Sequence, residues 1–221
     1  MEQTSHDKKV GTYFDKAAVT FDTFYDYKRS TFMQWVDRKF RSDVFNRYYA
    51  TFETLTPLEG KRVLDIGCGS GPYMAEAARR GAARVVGLDM AEGMLELARR
   101  RVKAGGLADK CQFVLGVFPQ DVPAEIFDYS ITMGVMDYVE DPLVFLTAVA
   151  KQVRVCGVLS FPSKHWFRTP LRKARYRLKC CPVYFYEPAQ LERLAKDAGF
   201  SRANIVKMPG AGMDYFVTLY K

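Results

Sequence analysis

Residues 63–71 read Val-Leu-Asp-Ile-Gly-Cys-Gly-Ser-Gly, and Pro72 follows at once. No other feature constrains the fold as strongly. A short apolar run that halts on closely spaced glycines reads as a strand, Lys61 to Ile66, entering a tight turn. Pro72 suits the first turn of a helix running to Arg80. Glycines let a ligand come close to the backbone. The helix end behind them offers free N–H groups and the positive end of a dipole.

The same alternation repeats downstream. Strands are expected at Arg84–Leu88, Cys111–Leu115, Phe127–Met133 and Val153–Phe161. Helices are expected at Ala91–Lys103, from Asp141-Pro142 to Lys151 with Asp141 as N-cap, and at Glu187–Ala198. Gly105-Gly106 and Gly199 end two of them. Strand–helix alternation with short links implies an open, mainly parallel sheet with helices on both faces. The last two strands, Ser201–Lys207 and Asp214–Tyr220, are separated only by a turn at Pro209-Gly210-Ala211-Gly212, which predicts an antiparallel hairpin. Upstream, Val36, Phe40, Val44 and Tyr48 recur every four residues, with Phe32 and Trp35 beside them. That stripe predicts a helix capped by Ser30 or Thr31, preceded by a shorter one over Asp15–Tyr25.

The spacing of the glycines selects among ligands. Dinucleotide enzymes need G-x-G-x-x-G, which from Gly67 would place the third glycine at 72, where Pro72 stands. The pattern is instead G-x-G-x-G, preceded by Asp65. An acid there suits a ligand carrying an ammonium group and repels a pyrophosphate. The second strand ends on Asp89, whose carboxylate can accept hydrogen bonds from both ribose hydroxyls.

These residues closely resemble the class I S-adenosylmethionine-dependent methyltransferases. Asp65 to Gly71 matches their first motif and Asp89 their second-strand acid. Phe127-Asp128 and Gly134 to Pro142 match their fourth-strand region, and Leu191 to Phe200 their late helix. The resemblance implies an α/β fold: a Rossmann-like, seven-stranded, mainly parallel sheet with a C-terminal antiparallel hairpin, plus an N-terminal helical lid. It implies a lid over residues 1–57 and a catalytic domain over 58–221. S-adenosyl-L-methionine is the implied cofactor and S-adenosyl-L-homocysteine the product. Asp65, Gly67, Cys68, Gly69 and Gly71 would hold its methionine part and Asp89 its ribose, with Met90 and Met133 alongside. Many relatives carry an acid after the third strand, where this chain has Gly116-Val117-Phe118. The adenine is therefore expected against Val117 and Phe118, with Asp121 as an alternative acid. Tyr13 resembles an aromatic of the lid helices of small-molecule O-methyltransferases, including those of quinone biosynthesis and magnesium-porphyrin methylation. It is the first candidate there for cofactor contact.

Methyl transfer from a sulfonium is an in-line displacement in which positioning does much of the work. A base is needed only where the acceptor must lose a proton. Asp137 and Tyr138, after the fourth strand, are the candidates at the acceptor's position; Asp137 acts there as base or orienter, or only caps a turn. His165 is a further candidate base, or a surface histidine. No metal is expected. An Asn/Asp-Pro-Pro-Tyr motif is absent from 133–136, which disfavours methylation of a nucleobase nitrogen.

Net charge is +8, yet residues 162–186 contain seven Lys or Arg and no acid, so the rest is nearly balanced. This segment, read as an insertion over the site, mixes its cations with Trp166, Phe167, Tyr176 and Tyr184–Tyr186. Three functions fit, in descending order: a lid binding an acidic or phosphorylated small acceptor, peripheral contact with anionic lipid, and tracking of a nucleic-acid backbone; the alternative to all three is a merely solvated helix. Apolar residues make up 48% of the 221, enough for one domain with a modest extension. No apolar run approaches the roughly 18 residues of a membrane span. Met1–Lys9 is polar, unlike a signal peptide, so a cytoplasmic location is expected. The cysteines (68, 111, 156, 180 and 181) form no C-x-x-C pair, and only His6 and His165 could join them on zinc. Reduced thiols are expected. The function so implied is methylation of a small, oxygen-bearing acceptor, acidic or lipophilic. The alternatives are an RNA or protein methyltransferase and a non-catalytic cofactor-binding module.

Overall fold

The structure is a computed structural model and describes residues 10–12, 42–164, 183–209 and 214–221. Helix α1 spans Ser42–Thr54. Then come β1 (Arg62–Ile66), α2 (Pro72–Arg79), β2 (Arg84–Asp89), α3 (Glu92–Ala104), β3 (Cys111–Leu115) and β4 (Phe127–Thr132). The chain continues through α4 (Pro142–Gln152), β5 (Val153–Phe161), α5 (Pro188–Asp197), β6 (Arg202–Lys207) and β7 (Tyr215–Tyr220). All seven strands join one sheet in the order β3-β2-β1-β4-β5-β7-β6. The first five are parallel, with Val63 opposite both Val85 and Tyr129, and Ser130 opposite Gly157. β7 runs antiparallel between β5 and β6, placing Val217 opposite Leu159 and Ile205. The expected hairpin is present, and the structure adds that its second strand, not its first, pairs with β5, leaving β6 at the edge.

The order reverses at β1. The chain first builds outward to β2 and β3, then returns to lay β4 on the other side of β1. Their connections leave in opposite directions, which opens a crevice at the carboxyl ends of β1 and β4.

Strand alternation divides the core. Leu64 and Ile66 of β1 join Leu88, Phe127, Leu146, Leu159 and Leu191 under α4 and α5. Val63 instead packs with Val85, Ile131, Met74 and Phe216 under α1 and α2. The side chain of Asp65 shares that second face by the two-residue period. The helix expected near Tyr48 runs on to Thr54. Phe52 and Leu55 extend its apolar stripe and are fully buried. Thr51 and Thr56, poor helix formers, satisfy their hydroxyls on the carbonyls of Arg47 and Phe52. Tyr48 and Phe52 both pack on Tyr73 of α2, at 5.3 and 6.0 Å between ring centroids. The expected helix over Asp15–Tyr25 and the cap at Ser30 or Thr31 lie outside the described residues.

α1 crosses the sheet from edge to edge. Its start is at the carboxyl edge, where Asn46 donates to Pro209 O at 3.2 Å, just beyond β6. Its end leads through Leu58 and Lys61 into β1 at the opposite edge.

Candidate active site

The glycine loop is anchored to β2: the Gly67 and Cys68 N–H groups both donate to Leu88 O, at 2.7 and 3.1 Å. The three glycines stand in different surroundings. A side chain at Gly67 would collide with Val135 Cγ2. At Gly71, which has φ 74°, a Cβ would lie 2.9 Å from Ala98 Cβ of α3. At Gly69, φ 53°, nothing lies within 4 Å of that position. The outer glycines permit packing; the middle one faces open space, and there a ligand can reach the backbone.

Gly71 caps α2 without a side chain, so the cap comes from elsewhere. The carboxylate of Asp65 accepts from Met74 N–H in the first turn. Asp65 is 1% exposed, and its Oδ2 has no hydrogen-bond partner. Burial above all, and the nearby Asp89 carboxylate next, push its pKa up to about 8. A buried carboxylate with an unused oxygen suits a cationic ligand group.

Asp89 holds two turns at once. Its Oδ2 accepts from Gly69 N–H at 2.8 Å and its Oδ1 from Ala91 N–H at 3.0 Å. Met90, half-buried, packs against Gly11, which brings residues 10–12 to this carboxyl edge. Burial raises the Cys68 thiol well above its usual range, so it is a space-filling group and not a nucleophile.

After β3, Gly116 N–H donates to Asp89 O at 3.0 Å. Asp121 Oδ2 accepts from Val117 N–H at 2.8 Å, which ties that carboxylate to the loop backbone. Phe118 is buried with its ring 4.7 Å from that of Phe145. It is a core side chain, and half-buried Val117 is the more open of the two.

After β4, half-buried Met133 precedes Gly134, whose N–H donates to Ser160 Oγ at 2.8 Å. Tyr138 N–H donates to Val135 O at 2.9 Å, closing a turn that contains buried Asp137. The Asp137 carbonyl accepts from Tyr184 N–H at 2.9 Å. Tyr186 donates its phenol hydrogen to Met136 O at 3.3 Å. Burial, then the Asp137 charge, raise the Tyr186 phenol far above its usual range, so it stays protonated. Beside it opens a cavity of about 360 Å³, lined among others by Glu140, Pro142, Lys164, Tyr184, Phe185 and Gln190. Among the described residues no group of His, Cys, Asp or Glu gathers to hold a metal ion.

Tyr13, His165 and positions 165–182 of the basic insertion lie outside the described residues. Its two ends are described, and they are joined: Tyr186 N–H donates to Pro162 O at 2.9 Å and Lys164 N–H to Tyr186 O at 3.3 Å. The insertion therefore leaves and returns at one point, the carboxyl end of β5. Sequence reading counted Tyr184 and Tyr186 as part of a basic tract and missed this pairing. No local signal carries it.

Residues 63–157 match a family model described as a methyltransferase domain. A ubiquinone biosynthesis O-methyltransferase of Neisseria meningitidis serogroup C is 35% identical over 174 residues, covering 72% of this chain and 70% of that protein. One of Thiobacillus denitrificans is 31% identical over 167 residues, covering 71% of each. The structure is similar to magnesium protoporphyrin IX methyltransferase of Synechocystis PCC 6803 with bound SAH, with a TM-score of 0.76 at 21% identity over 98% of this chain and 100% of that one. The chain belongs to the class I S-adenosylmethionine-dependent methyltransferases. It is an enzyme, and S-adenosylmethionine is its methyl donor.

Proposed function

We propose that the chain methylates an oxygen of a small aromatic acceptor, a ring hydroxyl. Its identity to O-methyltransferases of ubiquinone biosynthesis carries this reading. The aromatic-lined cavity beside the Asp137 turn is of a size for a small molecule.

In this reading Asp65 Oδ2 receives the cofactor's ammonium group, Gly69 gives it room, and Asp89 accepts from the ribose hydroxyls. Gly67, Cys68 and Gly71 shape the loop around it. Met90, Val117 and Met133 flank it, with only an edge of Phe118 exposed to it. Tyr13 would cover it. When bound, the cofactor supplies a methyl group already activated on a sulfonium. The acceptor oxygen forms the new O–CH3 bond as the C–S bond breaks, and the hydroxyl proton must leave. Asp137 is assigned as the base or orienter for that proton, Tyr138 as its neighbour on the acceptor, and His165 as a second base.

Residues 1–57 are assigned as the lid. Gly11 packs against Met90 at the end of β2, and Asn46 of α1 bonds to Pro209 just beyond β6, so residues 10–12 and the start of α1 lie at the carboxyl edge of the sheet. The basic insertion is assigned first to an acidic acceptor and second to anionic lipid. No helix among the described residues is long and apolar enough to cross a membrane. A cytoplasmic location completes the reading, consistent with free thiols at Cys68, Cys111 and Cys156.

The test is a methylation assay with labelled S-adenosylmethionine against catechols, benzoates, indoles, tRNA and a protein extract. Methyl ethers from catechols support the reading; label only in tRNA, protein or ring nitrogen refutes it. Asp137→Asn should lower turnover of the active acceptor at unchanged S-adenosylhomocysteine affinity.

A further inference from the structure

Four elements of the fold meet at one buried hydroxyl. Arg47 of α1 donates from Nη1 to Ser160 Oγ at 3.2 Å, and the same nitrogen lies 3.4 Å from Asp214 Oδ2. Ser160, near the end of β5, is 1% exposed. Its Oγ also accepts from Gly134 N–H at 2.8 Å. Asp214, just ahead of β7, is buried, and its carbonyl accepts from Met208 N–H at 2.9 Å, closing the β6–β7 connection.

The position of Gly134 gives this cluster its importance. It opens the turn that contains Asp137 and Tyr138, and it has φ 76°. Its neighbour Val135 rests on Gly67 of the glycine loop. The turn is therefore gripped from two sides. The glycine loop holds it through Val135, and β5 holds it through the Ser160 hydroxyl. Arg47 in turn fixes that hydroxyl, with Asp214 balancing its charge. Hydroxyl oxygens have two acceptor lone pairs, and both are engaged here. Loss of the hydroxyl would leave Gly134 N–H without its partner in a closed site.

We propose that Arg47 and Ser160 are positioning residues for methyl transfer: through Gly134 they set the Asp137–Tyr138 turn relative to the glycine loop, without touching the cofactor. This rests on the assignment of that turn to the acceptor. Aligned displacement is sensitive to placement, and a shift of about 1 Å costs on the order of a hundredfold in rate. An ion pair that only fastened α1 would instead lower stability and affect cofactor and acceptor alike.

The test uses the full chain with Ser160→Ala, Ser160→Thr, Arg47→Met and Arg47→Lys. Amide hydrogen exchange reads the peptides over 133–140, with those over β1 and the glycine loop as internal references. Calorimetry with S-adenosylhomocysteine reads the cofactor site. Turnover is measured with a catechol that the unaltered protein methylates. Ser160→Ala and Arg47→Met should speed exchange over 133–140 by about tenfold or more while the references hold. S-adenosylhomocysteine affinity should stay within about twofold, and turnover should fall about ten- to a hundredfold. Ser160→Thr and Arg47→Lys should recover part of both. Unchanged exchange over 133–140 overturns the proposal. So does a loss of S-adenosylhomocysteine affinity or reference protection equal to the loss of turnover. Should the unaltered protein methylate no catechol, the acceptor assignment fails, and exchange with calorimetry still decides the role of Arg47 and Ser160.

Discussion

Cofactor binding should release a proton from Asp65. Burial and the Asp89 carboxylate hold this group at about 8 in the free protein, so at pH 7 it is mostly neutral. An ammonium group against Oδ2 favours the carboxylate. From that value, roughly nine-tenths of a proton leaves per binding event at pH 7 and about one-tenth at pH 9. Apparent affinity for S-adenosylhomocysteine should rise roughly tenfold per unit below pH 8 and level off above it. Calorimetry in buffers of different ionisation enthalpy, from pH 6 to 9, counts the proton directly. Stability of the free protein runs the other way. The folded value lies above the unfolded one of about 3.9, so the neutral form's contribution is complete below pH ~4 and lost as pH rises toward about 8. Asp65→Asn keeps an acceptor for Met74 N–H but cannot ionise. It should raise the Tm of the free protein at pH 8, abolish the proton release and weaken binding. A flat affinity profile in the unaltered protein, or one shared by Asp65→Asn, would refute the assignment of Asp65 to the ammonium group.

The glycines should separate stability from binding. Gly71→Ala adds a clash with Ala98 to the strain of a left-handed backbone and should cost about 2–4 kcal/mol by denaturant unfolding; Gly69→Ala meets no protein atom and should cost only the left-handed strain, about 1–2 kcal/mol, while losing most S-adenosylhomocysteine affinity. Phe118→Ala should destabilise the fold by about 3–5 kcal/mol, because its ring is packed on Phe145; a change of Kd at constant stability would mean the ring serves the adenine instead. Asp89→Asn should weaken binding of S-adenosylhomocysteine more than that of S-alkylhomocysteines, which lack the ribose, and an equal loss for both by calorimetry would refute the ribose assignment. Neutralising Arg172, Lys173, Arg175 and Arg177 together should weaken an acidic acceptor or flotation with phosphatidylglycerol vesicles; if neither changes, the segment is a solvated surface.

Local chemistry was legible from the sequence. β3 and β5 have the bounds that periodicity predicts, and Asp141 caps α4 by accepting from Leu143 and Val144 N–H, both at 3.1 Å. The glycine loop stands at the carboxyl end of β1, as its order in the chain required. Strand period, turn residues and caps act over a few neighbours, so a linear reading can find them. The relations that complete the site span far more chain. Arg47 reaches Ser160 across 113 positions and Asp214 across 167. Tyr186 closes the base of the insertion on Pro162, and Phe118 packs on Phe145. Each depends on which strands lie side by side, and β7 enters between β5 and β6 against chain order. The sequence by itself determined the sheet-and-helix alternation, the loop and the ligand class it admits. Only the tertiary structure decided that Asp65 caps α2 with one oxygen to spare, and that the turn from Gly134 to Tyr138 is held from both sides, because burial and long-range hydrogen bonds exist only once the sheet has formed.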